Sequence, residues 1–174
     1  MVVGLAPAAH GSNRTGRVFT GDTAGDGLYA SLYRTGFASQ PDSTRIGDGL
    51  RLEGIRVCAA VRCAPPENKQ TTGERDNCLP YLAAELELLE QANTLGALGG
   101  FAWDCFLMAL RQPGHKLPRP KPKFGQGAEV DLGRWQMLGC FHPSQRNTHT
   151  GRLTTEMLDQ SFIRARSLSL RRSV

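Results

Sequence analysis

The run Ile55-Arg56-Val57-Cys58-Ala59-Ala60-Val61 decides the fold class. It is apolar and β-rich, the length of a strand buried on both faces, and it empties into Arg62-Cys63-Ala64-Pro65-Pro66, where the prolines end a regular ladder. Downstream, Leu79, Leu82, Leu86 and Leu89 make one apolar helical face, with Asp76 or Asn77 placed to cap it. A weak strand is expected over residues 94–98, shorter and more glycine-bearing than a buried strand should be. A second helix carries Trp103, Phe106, Leu107 and Leu110, and Met137 to Phe141 reads as the last strand. An amphipathic helix over residues 154–168 finishes the chain. Upstream, residues 1–5 read as the end of a strand, and Leu28, Tyr29, Leu32 and Tyr33 space a helix stopped by Gly36. Strands alternating with helices predict a parallel sheet covered on both faces, with ligands bound beyond the carboxyl ends of its strands.

The bulk numbers fit one globular domain over residues 1–174. Hydrophobic residues make up 40% and charged residues 21% of the chain, which excludes a disordered or fibrous class. A net charge of +5 and a pI of about 9.2 favour an anionic partner, though modestly. No apolar run approaches the roughly 20 residues that span a bilayer, and Met1-Val2-Val3-Gly4 lacks the features of a signal peptide, so no membrane partner and a cytoplasmic location are expected. Five cysteines, an odd number, argue against a disulfide framework and for metal binding or buried thiols.

Three chemically rich segments fall at the predicted strand ends: residues 6–26, 62–68 and 142–152. The first is dense in Gly, Ser, Asn, Thr and Asp, so its backbone can approach a ligand closely. It carries neither the Lys of a phosphate-binding P-loop nor a dinucleotide fingerprint. His142 ends the last strand; a lone histidine there is commonly just a hydrogen-bonded polar residue, but Ser144, Gln145, Asn147 and Arg152 add donors suited to phosphates. Cys63 and Cys78 have fourteen residues between them and no CxxC partner, which by itself favours structural thiols; Cys58, Cys105 and Cys140 read as core. Residues 113–123 hold four prolines and four basic residues and read as an extended loop. Solvated charge is the commoner meaning of such a run.

Taken in order, GLAPAAHGSNRTGR (4–17), FTGD (19–22), VRCAPPENK (61–69), CLPYL (78–82), GGFAWD (99–104) and HPSQRNTHTGRLT (142–154) resemble the type-5 uracil-DNA glycosylases, relatives of the type-4 iron–sulfur enzymes. The resemblance covers nearly the whole chain. It implies a three-layer α/β/α sandwich around a central four-stranded parallel sheet. It also implies a monomeric base-excision repair enzyme that flips out and excises uracil and other deaminated bases from double- and single-stranded DNA. By that resemblance Phe19 stacks on the flipped base, and the backbone of Ala6, Pro7 and Ala8 lines the pocket. Asp22 positions water or stabilises the sugar cation, with Asp26 as the fallback. His142 donates a hydrogen bond to the base carbonyl, and Asn68 bonds the base or orients His142. The segment from Gln145 to Arg152 is expected to be a loop entering the duplex, with Asn147, Thr148 and Arg152 near phosphates. No lysine stands in either main loop, so lyase chemistry is not expected.

The same resemblance assigns Cys63 and Cys78 to a structural [4Fe-4S] cluster, of whose four ligands this chain holds two. Family members carry a further N-terminal segment with a CxxC pair, so the chain reads as N-terminally truncated. The alternative function is therefore a catalytically impaired DNA-binding remnant without an intact cluster.

Overall fold

The structure, a computed structural model, describes residues 1–112 and 114–171, and the side chains of all of these but Asn68 and Arg171. Five strands form one sheet: β1 (Val2–Gly4), β2 (Val57–Ala59), β3 (Thr94–Leu98), β4 (Glu129–Asp131) and β5 (Gln136–Cys140), in the order β2-β1-β3-β5-β4. The first four in that order are mutually parallel, which is the four-stranded sheet expected. The fifth, β4, was not legible in advance. It pairs antiparallel with β5, joined through a turn in which Asp131 accepts from the Gly133 amide, and its two charged residues keep an exposed edge polar.

Period-2 alternation splits each strand between two apolar layers. Val3, Leu95, Ala97 and Met137 pack against α3 (Thr72–Leu88) and α4 (Gly100–Arg111), through Leu82, Leu86, Trp103, Phe106 and Leu110. Val2, Leu98 and Cys140 pack against α2 (Thr23–Arg34) and α6 (Thr155–Arg171), through Leu28, Leu32, Leu158 and Phe162. The three-layer sandwich follows directly. Cys58, Cys105 and Cys140 are buried as expected. Among the described residues no helix is long and apolar enough to cross a membrane.

Three expectations are corrected. The β3 strand is not degraded: all five residues pair with β5, and Gly96 is small because a side chain there would crowd Val2 on β1. Helix α3 begins several residues before Asp76, because Thr71 and Glu74 form a reciprocal capping box; the Thr71 amide donates to Glu74 at 2.6 Å and the Glu74 amide to Thr71 at 3.2 Å. Pro80 therefore lies inside the helix rather than in its first turn. Two short helices, α1 (Ser12–Thr15) and α5 (Gln145–His149), interrupt segments read as loops, the second being the segment expected to enter the duplex.

Candidate active site

β1 sits inside the sheet, with β2 on one side and β3 on the other, so the chain leaves its carboxyl end at a topological switch point. There Leu5, Ala6, Pro7, Ala8, Ser12, Phe19, Asp22, Ala24, Pro65 and His142 line an open pocket of about 150 Å³. A cavity of about that size holds one benzene ring in another protein. A larger cleft, about 1270 Å³, opens at the other end of the sheet beside Met1, Gly54 and Asn93, and none of the predicted site residues lines it.

Phe19 is held against its own backbone preference. Its φ of 56° lies in the left-handed region, which costs a non-glycine residue roughly 1–3 kcal/mol. The turn is fixed by Ser12, whose hydroxyl accepts from the Phe19 amide at 2.9 Å, and by Tyr29, whose hydroxyl donates to the Val18 carbonyl at 2.8 Å. Gly4 and Gly25 leave the room: a Cβ on the first would meet the Phe19 ring and on the second the Phe19 carbonyl. The ring thereby lies 5.5 Å from the His142 ring, tilted by 35°.

Asp22 caps α2. One carboxylate oxygen accepts from the Gly25 amide at 2.9 Å, and the side chain also lines the pocket. Asp26, the fallback, is exposed on the first turn of α2 and does not line the pocket.

His142 follows directly on β5 and Phe141. Burial pushes its imidazole pKa below the ordinary value, an effect only partly offset by the charge of Asp22. Its neutral form, a single N–H donor, therefore prevails at neutral pH. Two brackets hold it. Asn147 donates its side-chain amide to the His142 carbonyl at 2.8 Å, so this group serves the loop's own geometry. Gln126 accepts from the Phe141 amide at 2.8 Å and donates to Ser161 on α6 at 3.0 Å. Arg152 stands over the Phe141 ring at 4.4 Å, and Thr148 is exposed on α5.

Asn68 ends the single 3-10 turn Pro66–Asn68, beside the pocket-lining Pro65; its side chain lies outside the described residues. Sequence reasoning missed Ser12, Ala24, Pro65 and Gln126. Ser12, Ala24 and Pro65 had a legible signal, their position in the strand-end segments; Gln126 had none.

Cys63 is exposed on the second strand-end loop, whereas Cys78 is buried in α3 and its sulfur accepts from the Arg62 amide at 3.4 Å. Among the described residues no group of three or more His, Cys, Asp or Glu side chains is placed to hold a metal ion. Two thiols are half of what a [4Fe-4S] cluster takes, so the donors present do not by themselves fit that group.

Comparison with known proteins gives the family. The sequence profile of the Uracil DNA glycosylase superfamily matches residues 1–165. The chain is 52% identical over 171 residues to the type-5 uracil-DNA glycosylase of Mycobacterium bovis, covering 97% of this chain and 62% of that protein. It is 50% identical to the type-5 enzyme of Mycobacterium leprae and 44% identical to that of Thermus thermophilus, covering 73% and 75% of those proteins. The chain belongs to the uracil DNA glycosylase superfamily, in its type-5 class. It spans about 62% of the length of the mycobacterial relative named first.

Proposed function

We propose that this chain excises uracil from DNA by hydrolysing the bond between base and deoxyribose, leaving the phosphodiester backbone intact. One observation carries the reading: a desolvated imidazole, an aromatic ring and a carboxylate share one ring-sized pocket. A base reaches such a pocket only by leaving the stack. Phe19 then offers a face for it, and the backbone of Ala6, Pro7 and Ala8 offers close approach.

When the C1′–N bond breaks, its electron pair moves into the base and negative charge grows on a carbonyl oxygen. His142 donates its N–H to that oxygen, and Asn68 bonds the base or orients His142. C1′ is left electron-poor, and water adds there. The Asp22 carboxylate, anchored through Gly25, stabilises the sugar cation and accepts the water's proton. The proton taken up by Asp22 returns through solvent to the anionic base, so that free base and an abasic sugar result and the carboxylate is regenerated. With no lysine in residues 4–26 or 142–152, no Schiff base forms and the strand stays whole. Arg152 and Thr148 would meet phosphates of double- or single-stranded DNA. The protein acts as a monomer. On one wall Ala6, Pro7 and Ala8 present only backbone and small side chains, and the pocket opens to solvent, which leaves room for a larger base, so hypoxanthine and other deaminated bases belong to the proposal.

The test is single-turnover excision from a duplex bearing one uracil, and from one bearing hypoxanthine. Loss of one such hydrogen-bond donor lowers the rate about 10²–10³-fold, which is the effect expected for His142→Ala. Asp22→Asn keeps the helix cap and removes the charge, and its rate should also fall. Wild-type rates in both variants would overturn these two roles. A wild type that binds the duplex and never excises would instead favour a DNA-binding role without catalysis.

A further inference from the structure

The basic run Lys116-Leu117-Pro118-Arg119-Pro120-Lys121-Pro122-Lys123 has no part in the pocket. It carries four basic and no acidic residues in a chain whose net charge is +5, so much of the molecule's positive excess sits on one short segment. The segment is fixed rather than loose. Trp103 donates its indole N–H to the Pro122 carbonyl at 3.1 Å, and Lys121 pairs with Asp104 at 2.7 Å. Phe124, the next residue, packs edge-on against Trp103 at 5.9 Å and against Phe141 at 5.8 Å. Phe141 immediately precedes His142, and Arg152 covers the same ring. The carboxyl end of the run is therefore pinned beside the mouth of the pocket.

Its other end lies far from the mouth. His115 packs edge-on against Trp135 at 4.8 Å, and Trp135 immediately precedes β5. The six steps from Trp135 to Phe141 along β5 separate the two anchors by about 20 Å at 3.3 Å per residue. Lys116, Arg119 and Lys123 are exposed, and among the described residues no acidic side chain pairs with them.

We infer that Arg119 and Lys123 form a backbone track that receives the phosphates of duplex DNA flanking a flipped base, with Lys116 beyond its reach. The inference rests on the reading of the pocket as a DNA base site. Lys123, which adjoins the pinned Phe124, and Arg152, over the Phe141 ring, meet a duplex lying across the mouth, and Arg119 follows four residues back along the same run. A cation near the amino end of β5 does not. Proline at alternate positions keeps the segment from collapsing into a helix and holds its charges outward.

The experiment measures binding of an undamaged DNA duplex against salt for wild type and for Lys123→Gln, Arg119→Gln and Lys116→Gln, together with single-turnover excision at saturating uracil duplex. Each neutralised phosphate contributes about 0.9 to the slope of log affinity on log salt. Lys123→Gln and Arg119→Gln should each lower that slope by about 0.9, and Lys116→Gln should leave it unchanged. The excision rate at saturation should stay at the wild-type value in all three. Melting midpoints confirm that the variants fold, and Lys123→Arg should restore the slope. Equal slope losses at Lys116 and Lys123 would mean a net-charge effect and overturn the track. Unchanged slopes at Arg119 and Lys123, or losses seen only with duplex RNA, would overturn it too. A wild type that shows the expected slopes and no excision would overturn the reading of the pocket and leave the track standing.

Discussion

Phe19 and His142 show how single residues carry stress that the surrounding contacts must hold. The left-handed Phe19 survives because Gly25 leaves space for its carbonyl. Gly25→Ala sets a methyl against that carbonyl, and overpacking of this kind costs about 1–3 kcal/mol. Denaturant melts should show that loss, and excision should fall with it because the aromatic face moves; an unchanged midpoint would mean that the turn yields freely. His142 stores a different stress. Its folded pKa lies below the unfolded value near 6.5, so the unfolded chain binds the extra proton between the two. The stability tied to the neutral imidazole is thus complete above pH 6.5 and is lost as pH falls through the window down to the lowered folded value. Wild type should weaken more between pH 7.5 and 5 than His142→Asn, by urea melts at both pH values. A parallel decline of the two would remove the linkage.

At the scale of elements, the active-site turn is backed by the chain between α2 and β2. Asp48 accepts both Arg17 nitrogens at 2.8 Å and the amides of Thr44, Arg45 and Leu50, and Arg17 also donates to Ser43 at 2.8 Å. This strap presses on residues 15–20 from outside. The Arg17 guanidinium holds the Asp48 carboxyl far below the ordinary carboxylate range. Breaking one side of this part-buried pair costs about 1–3 kcal/mol, the loss expected for Asp48→Asn. Because the folded pKa is depressed, the contribution is present above pH about 4 and disappears as pH falls further. Urea midpoints at pH 7 and pH 3 should therefore differ less in the variant than in the wild type. No periodicity announced this strap: Arg17 and Asp48 are 31 residues apart and meet only through tertiary folding. The same divide runs through the rest of the fold. The β2 and β5 runs, the α4 face and the strand-end loops were legible because periodicity and prolines mark them locally. The start of α3 was misplaced because a capping box at Thr71 outcompetes Asp76 and Asn77 after it, and β4 was invisible because three alternating residues make an edge strand only once β5 lies beside them. The pocket followed the loops, but Ser12 and Gln126 act on backbone amides, and nothing in their local sequence says which amides those are.

Across the whole molecule, two apolar layers close on the sheet, with Trp103, Phe106 and Leu86 on one face and Leu28, Leu32 and Phe162 on the other. The cysteine pair sits outside the centre of either layer, and its two members are unequal. Cys63 is exposed on a loop, while Cys78 is 8% exposed in α3 and accepts the Arg62 amide. If the layers alone carry the fold, these thiols contribute as ordinary side chains. Cys63→Ser, a surface change, should then stay within about 0.5 kcal/mol of wild type. Cys78→Ala should cost about 1 kcal/mol, through a small cavity and an amide left without its acceptor. A metal group bridging both sulfurs predicts the opposite pattern, since removal of either ligand would release it and the losses would be large and equal. Guanidinium melts of the two variants, run beside iron and sulfide analysis of the same preparations, decide between them. Unequal losses without stoichiometric iron would place the stability of these 174 residues in the two apolar layers, and equal losses with iron present would place it at the second strand-end loop.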